Sequence, residues 1–149
     1  MSDVRYECNK LHENLLIGGA PPGGSLLADH GIKVLVLCAH EHQNELFYPG
    51  VTVIKAPGSD ADPMRAHDAD IWSQAAKEVA AHVRQGDLVL VTCMMGQNRS
   101  GFVCAAALND LTGQSGDVCI KHIQQYRQNA LWNKAFVSWL TENLKKKEE

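Results

Sequence analysis

The stretch Val91-Thr92-Cys93-Met94-Met95-Gly96-Gln97-Asn98-Arg99-Ser100-Gly101 decides how the rest of the chain is read. An apolar run, Leu88 to Val91, stops at a cysteine. Five residues separate that cysteine from Arg99, and Ser100-Gly101 leads into the apolar helical pattern Phe102 to Leu108. The pattern predicts a strand, a tight loop and a helix. In that setting the loop's backbone N–H groups can converge on one centre. The helix N-terminus adds partial positive charge, and Arg99 adds a forked cation. Together these bind an oxyanion. A cysteine at the mouth of the ring lies in the same field, which stabilises its thiolate and turns it into a nucleophile facing a phosphate-like group.

Outward from the loop, strands and helices alternate. Ile32 to Cys38 is almost continuously apolar and β-branched, which predicts a strand buried on both faces of a mostly parallel sheet. Shorter strands are predicted over 15–20 and 51–55, with a short helix from a Ser25 cap to His30, stopped by Gly31. Apolar residues at helical spacing predict a helix over 71–84, with Asp68 and Asp70 read as caps. A small-residue helix over 100–111 ends at Gly113. Ser115 is placed to cap a helix through Arg127, with the stripe Val118, Cys119, His122, Ile123 and Tyr126. The last helix carries Trp132, Phe136, Trp139, Leu140 and Leu144 on one side. The order predicts a three-layer α/β fold, a central mostly parallel sheet flanked by helices, as a single domain over 1–149.

Composition narrows the function. With 149 residues and 45% hydrophobic content, the chain can bury a real core. A net charge of −3 argues against nucleic acid or an anionic membrane as the main partner. The start lacks the apolar core of a signal peptide, and no apolar run approaches membrane length. Five cysteines, at 8, 38, 93, 104 and 119, make an odd count with no metal-type spacing. They are read as thiols of a reducing, cytoplasmic compartment. His40 and His42 alternate along an extended segment, but no third ligand is spaced to join them, so they are read as surface or rim histidines. No metal and no cofactor is expected. The tail from Lys145 to Glu149 reads as a solvated, frayed helix end.

Cys93, Gly96, Arg99 and Ser100 stand in the pattern Cys-x5-Arg-Ser, which resembles the signature of the cysteine-dependent protein tyrosine phosphatases. The shortness of the chain suggests the dual-specificity branch. Leu16-Ile17-Gly18-Gly19 and Gly31 to Leu37 are similar to that family's opening strands. Arg127, Leu131, Asn133 and Phe136 are similar to its C-terminal helices. The family has His directly before the cysteine, and Thr92 stands there.

The resemblance implies a role for each residue. Cys93 attacks phosphorus and forms a phosphocysteine. Arg99 clamps two equatorial oxygens, and Gly96 lets the backbone turn its N–H inward. Met94, Met95, Gln97 and Asn98 contribute backbone N–H groups to the phosphate loop. Ser100 hydrogen-bonds the sulfur and eases its departure. The family holds its general acid on a mobile loop about thirty residues before the cysteine, where Ala56 to Pro63 lies. Asp60 is the first choice of acid. Asp62 is second, because Pro63 after it can fix it as a turn residue.

Leu37, Cys38, Ala39 and His42 are similar to a stretch of the phosphoinositide-phosphatase branch, and Cys38 is a candidate redox partner for Cys93. No basic residue lies between Cys93 and Arg99, which disfavours polyphosphorylated lipids. The short N-terminal region leaves a shallow pocket. The expected substrate is a phosphorylated protein or peptide, on tyrosine and also serine or threonine, bound by a monomer. Two other readings fit a cysteine in an anion-binding loop: a rhodanese-like sulfurtransferase, and a pseudophosphatase that binds phosphopeptides without turnover.

Overall fold

The computed structural model describes residues 6–39 and 44–147. The central strands form because their side chains are apolar on both faces. β1 (Cys8–His12) and β2 (Leu15–Gly18) make an antiparallel hairpin, and Asn14 takes the left-handed conformation at its turn. After β2 come a short helix α1 (Leu26–Asp29), β3 (Val34–Leu37), a 3-10 turn (Glu45–Phe47) and β4 (Thr52–Lys55). Then follow α2 (Ala66–Arg84), β5 (Val89–Thr92), α3 (Arg99–Thr112), α4 (Gly116–Tyr126) and α5 (Lys134–Asn143). The strand order is β1-β2-β5-β3-β4, and every pair except β1–β2 is parallel. The sheet is therefore mixed and mostly parallel, flanked by helices as the sequence predicts.

The two faces are covered unequally. Leu15, Ile17, Val34, Val36, Val89 and Val91 pack with residues of the four long helices, around Trp72, Phe102 and Phe136. Those three rings stand 5.2–5.8 Å apart at steep angles, a favourable aromatic geometry. Leu35, Leu37 and Leu90 face the other way, where Leu27 of α1, Ile32 and Tyr48 close a smaller cluster. β5 is central, so its C-terminal end, where Cys93 follows, lies in the middle of one edge of the molecule.

Several details differ from expectation. β1 was not anticipated: its residues are mostly polar and only half-buried at the sheet's edge. α2 begins at Ala66, with Arg65 as its cap residue, so Asp68 and Asp70 lie inside the helix and cap nothing. Ser25 and Ser115 occupy cap positions without capping, because their hydroxyls donate to the side chains of Asp29 and Asp117. On α4 the buried stripe runs through Cys119, Ile120 and Ile123, leaving Val118 and Tyr126 exposed. Trp132 precedes α5 and is 62% exposed. No helix among the described residues is long and apolar enough to cross a membrane.

Candidate active site

Cys93 follows β5 directly, and α3 begins at Arg99. Between them the chain forms a ring, and the ring's carbonyls show which way it faces. The Met94 carbonyl accepts from the Ala20 N–H at 3.1 Å, and the Gln97 carbonyl from the Leu131 N–H at 3.2 Å. Arg127 donates to the Met95 carbonyl at 3.0 Å and to the Gly96 carbonyl at 2.7 Å. All four carbonyls are thus held by chain outside the ring. In a planar trans peptide the N–H points opposite to its carbonyl. The N–H groups of Met95, Gly96, Gln97 and Asn98 therefore turn inward and form a concave donor set at the N-terminus of α3.

Two glycines make the ring possible. Gly96 has φ +67°, and a Cβ on it would lie 2.4 Å from the carbonyl carbon of Gly18. Gly101 opens α3 where a Cβ would meet Leu131 at 2.8 Å. Leu131 is itself left-handed, at φ +58°, and buried, and its N–H reaches Gln97 from that conformation. A leucine in this region costs about 1–2 kcal/mol, offset here by the packing and by the bond to the ring.

Cys93 is 3% exposed, and its sulfur lies 3.2 Å from the hydroxyl of the fully buried Ser100. Arg99 Nη1 donates to the Gly58 carbonyl at 3.2 Å, so the guanidinium lies between the ring and the 56–63 loop. Thr92 donates to the Val36 carbonyl at 2.7 Å and so ties β5 to β3. Cys38 lies one residue past β3, and its N–H donates to the Thr92 carbonyl at 2.9 Å, so Cys38 and Cys93 are lateral neighbours at the ends of adjacent strands. Burial pushes the Cys38 thiol well up, and the neighbouring Cys93 adds to the effect. Burial pushes Cys104 up likewise. All five cysteines are free thiols.

The 56–63 loop is fastened along its length. Trp72 Nε1 donates to the Ala56 carbonyl at 2.9 Å, and the Ser59 N–H donates to the buried carboxylate of Asp68 at 3.0 Å. Gly58 lies flat on Trp72, where a Cβ would come within 2.3 Å of the ring. Asp60 accepts from Asn98 Nδ2 at 2.9 Å and, on its other oxygen, from Asn133 Nδ2 at 2.7 Å. Asp60 is thereby joined to the ring through Asn98. Asp62 is exposed, and no described residue bonds to it. Asn98 and Asn133 were not foreseen as partners of Asp60, and neither was the bond from Trp132 Nε1 to Gln97 Oε1 at 2.8 Å. His40 and His42 lie outside the described residues. Among the described residues no His, Cys, Asp and Glu cluster is arranged to hold a metal ion.

A family model for the dual specificity phosphatase catalytic domain matches residues 19–146. The chain belongs to the dual specificity phosphatase family. Solved structures agree with the fold of this family member. A mouse protein described as a dual specificity phosphatase, complexed with zinc tungstate, is 25% identical. That match covers 97% of this chain and 90% of the mouse chain, at a TM-score of 0.83. Human DUSP28 is 24% identical over 97% of each chain, at 0.77. The human tyrosine phosphatase-like serine/threonine/tyrosine-interacting protein is 18% identical over 93% of this chain and 95% of its own, at 0.76. No curated protein matches the chain by sequence. Family membership replaces the sulfurtransferase reading.

Proposed function

We propose that this dual specificity phosphatase family member hydrolyses phosphomonoesters of phosphoproteins, on tyrosine and also serine or threonine, through a phosphocysteine on Cys93. One observation carries the reading: four ring carbonyls are turned outward, which aims four N–H groups at the inside of the ring that starts at Cys93, whose sulfur lies 3.2 Å from the Ser100 hydroxyl. The thiolate attacks phosphorus while the ester oxygen leaves. The ring N–H groups and Arg99 carry the charge on the equatorial oxygens. Asp60 gives its proton to the leaving oxygen. The two asparagine amides take one lone pair on each carboxyl oxygen, so a protonated Asp60 keeps both bonds and still has its O–H to donate. Water then attacks the phosphocysteine, Asp60 takes the water's proton, and inorganic phosphate leaves. Ser100 hydrogen-bonds the departing sulfur.

Thr92 favours a second reading, a phosphopeptide-binding pseudophosphatase, because its hydroxyl is spent on Val36. Hydrolysis of p-nitrophenyl phosphate by wild type, Cys93→Ser, Arg99→Lys, Asp60→Asn and Asp62→Asn decides between them. Turnover that Cys93→Ser and Arg99→Lys abolish is expected. Phosphopeptide binding with no turnover by wild type would establish the pseudophosphatase, and full activity in Cys93→Ser would end the phosphocysteine mechanism.

A further inference from the structure

Beside the catalytic ring, α4 and α5 leave a groove of about 520 Å³, lined among others by Lys121, Gln124, Leu131, Trp132, Lys134 and Val137. Three observations give it an occupant. First, it is continuous with the ring. Trp132 forms one wall and donates to the Gln97 side chain, and Leu131, which also lines it, donates its N–H to the Gln97 carbonyl. Gln97 and Trp132 therefore stand side by side between the ring and the groove. Second, the groove offers an uncommitted aromatic surface, since the indole is 62% exposed although its N–H is bonded. Third, its charge is local and positive. Lys121 and Lys134 are exposed there, in a chain whose net charge is −3. The lining sets these two lysines against one carboxylate, Asp117, which takes the Ser115 hydroxyl and feels the charge of Lys121, so the surplus is one positive charge, with Lys134 at its centre.

We infer that the α4–α5 groove binds the polypeptide segment flanking the phosphorylated residue, and that it selects segments carrying acidic side chains a few residues from the phosphate. The inference rests on the phosphatase reading of the ring, and it gives that site a specificity. The ring itself exposes apolar Met94 and Met95 and has no basic side chain before Arg99, so discrimination by charge falls to the groove. Trp132 stacks the backbone or an aromatic neighbour of the substrate, and the lysines pair with its carboxylates.

The test uses two phosphotyrosine peptides of equal length, one with Asp and Glu flanking the phosphotyrosine and one with Asn and Gln in their place. Each is measured for kcat/KM, normalised to the same protein's rate on p-nitrophenyl phosphate. Each is also measured for binding to Cys93→Ser by fluorescence anisotropy. Wild type is expected to prefer the acidic peptide by about five- to tenfold at low salt, with the preference lying in KM and falling as salt screens the pairs. Lys121→Glu/Lys134→Glu is expected to remove or invert that preference, and both positions are exposed, so the fold is retained. Equal use of both peptides by wild type, or an undiminished preference in the double variant, overturns the groove. If no substrate turns over but Cys93→Ser still binds the acidic peptide more tightly, in a lysine-dependent way, the catalytic reading fails and the groove stands. If a phosphorylated lipid binds in a lysine-dependent way and neither peptide does, the groove belongs to lipid and the proposal is wrong.

Discussion

The Nε of Arg127 donates to the Gly96 carbonyl at 2.7 Å, 31 residues apart in the chain. Its Nη2 reaches the Met95 carbonyl and its Nη1 the Asn9 side chain, so one guanidinium pins the ring to α4 and β1. Pinning those two carbonyls orients the N–H groups of Gly96 and Gln97. On the phosphatase reading, Arg127 is thus a positioning residue that acts through the ring. Arg127→Met is expected to lower kcat by about 10–100-fold, since only a part of the two charged hydrogen bonds, each worth about 1.5–3 kcal/mol, is passed on to the transition state. Vanadate affinity falls in parallel. Asn9→Ala removes only the third bond and leaves both close to wild type. A drop in melting temperature with unchanged kcat and vanadate affinity in Arg127→Met would reduce the residue to a structural tie.

Gly96 has no room for a side chain. A Cβ there would lie 2.4–2.6 Å from the backbone of Gly18 and Gly19, in a left-handed conformation. Gly96→Ala must move the ring off β2, and a displacement of about 1 Å at a reacting centre costs on the order of 10²-fold. Activity on p-nitrophenyl phosphate is expected to fall by at least that factor while circular dichroism keeps the α/β signature. An alanine variant with wild-type kcat/KM would show that the ring tolerates the shift and that the inward N–H set is not what binds phosphate.

The ring was legible from sequence because it is local: strand, cysteine, glycine, arginine and helix start fall within eleven adjacent residues. The strands β3 and β5 were legible for the same reason, being short apolar runs. What sets the ring's orientation was not legible. Ala20, Arg127 and Leu131 reach it from 31–74 residues away, through backbone carbonyls that carry no sequence signal. The 56–63 loop shows the same limit, since Asp60 meets Asn98 and Asn133 at separations of 38 and 73 residues. Helical periodicity also misassigned Trp132 to the last helix's apolar side. The chain turns at left-handed Leu131 and α5 starts only at Lys134, so the indole is left against the ring.

Asp60 and Asp62 are separated by their surroundings, and a substrate with a poor leaving group exploits the difference. An acid contributes roughly 10²–10⁴-fold where the leaving oxygen needs a proton. Asp60→Asn is expected to approach that loss on phenyl phosphate and to lose far less on p-nitrophenyl phosphate. Asp62→Asn should stay near wild type on both. Asn133→Asp sharpens the test. It keeps an oxygen to cap α5, where Asn133 accepts from the Ala135 N–H at 2.9 Å, but replaces the amide donor to Asp60 with a second carboxylate. Phenyl phosphate turnover of the folded variant should drop, and the second carboxylate, buried against Asp60, should lower the melting temperature as well. The opposite ranking of the two aspartates would make Asp62 the acid and Asp60 only the loop's anchor.

Cys38 and Cys93 end adjacent parallel strands, whose spacing of about 4.8 Å falls within the Cα separation a disulfide needs. Peroxide converts the Cys93 thiolate to a sulfenic acid, releasing hydroxide. The Cys38 sulfur then attacks the sulfenic sulfur, forming the disulfide and releasing water, with its own proton lost in that step. Cys38 is held above an ordinary thiol by burial first and by the Cys93 charge second, and oxidation of Cys93 removes the second cause. A raised thiol is mostly protonated at neutral pH, so its thiolate fraction grows about tenfold per pH unit until the pKa is reached. The second step should therefore accelerate as pH rises from 7 to 9. Peptide mapping after peroxide treatment is expected to give a Cys38–Cys93 linkage, with activity recovered by dithiothreitol. Cys38→Ser should instead proceed to irreversible sulfinic acid on Cys93. Single adducts alone in wild type, or a pH-independent second step, would dispose of Cys38 as the resolving thiol.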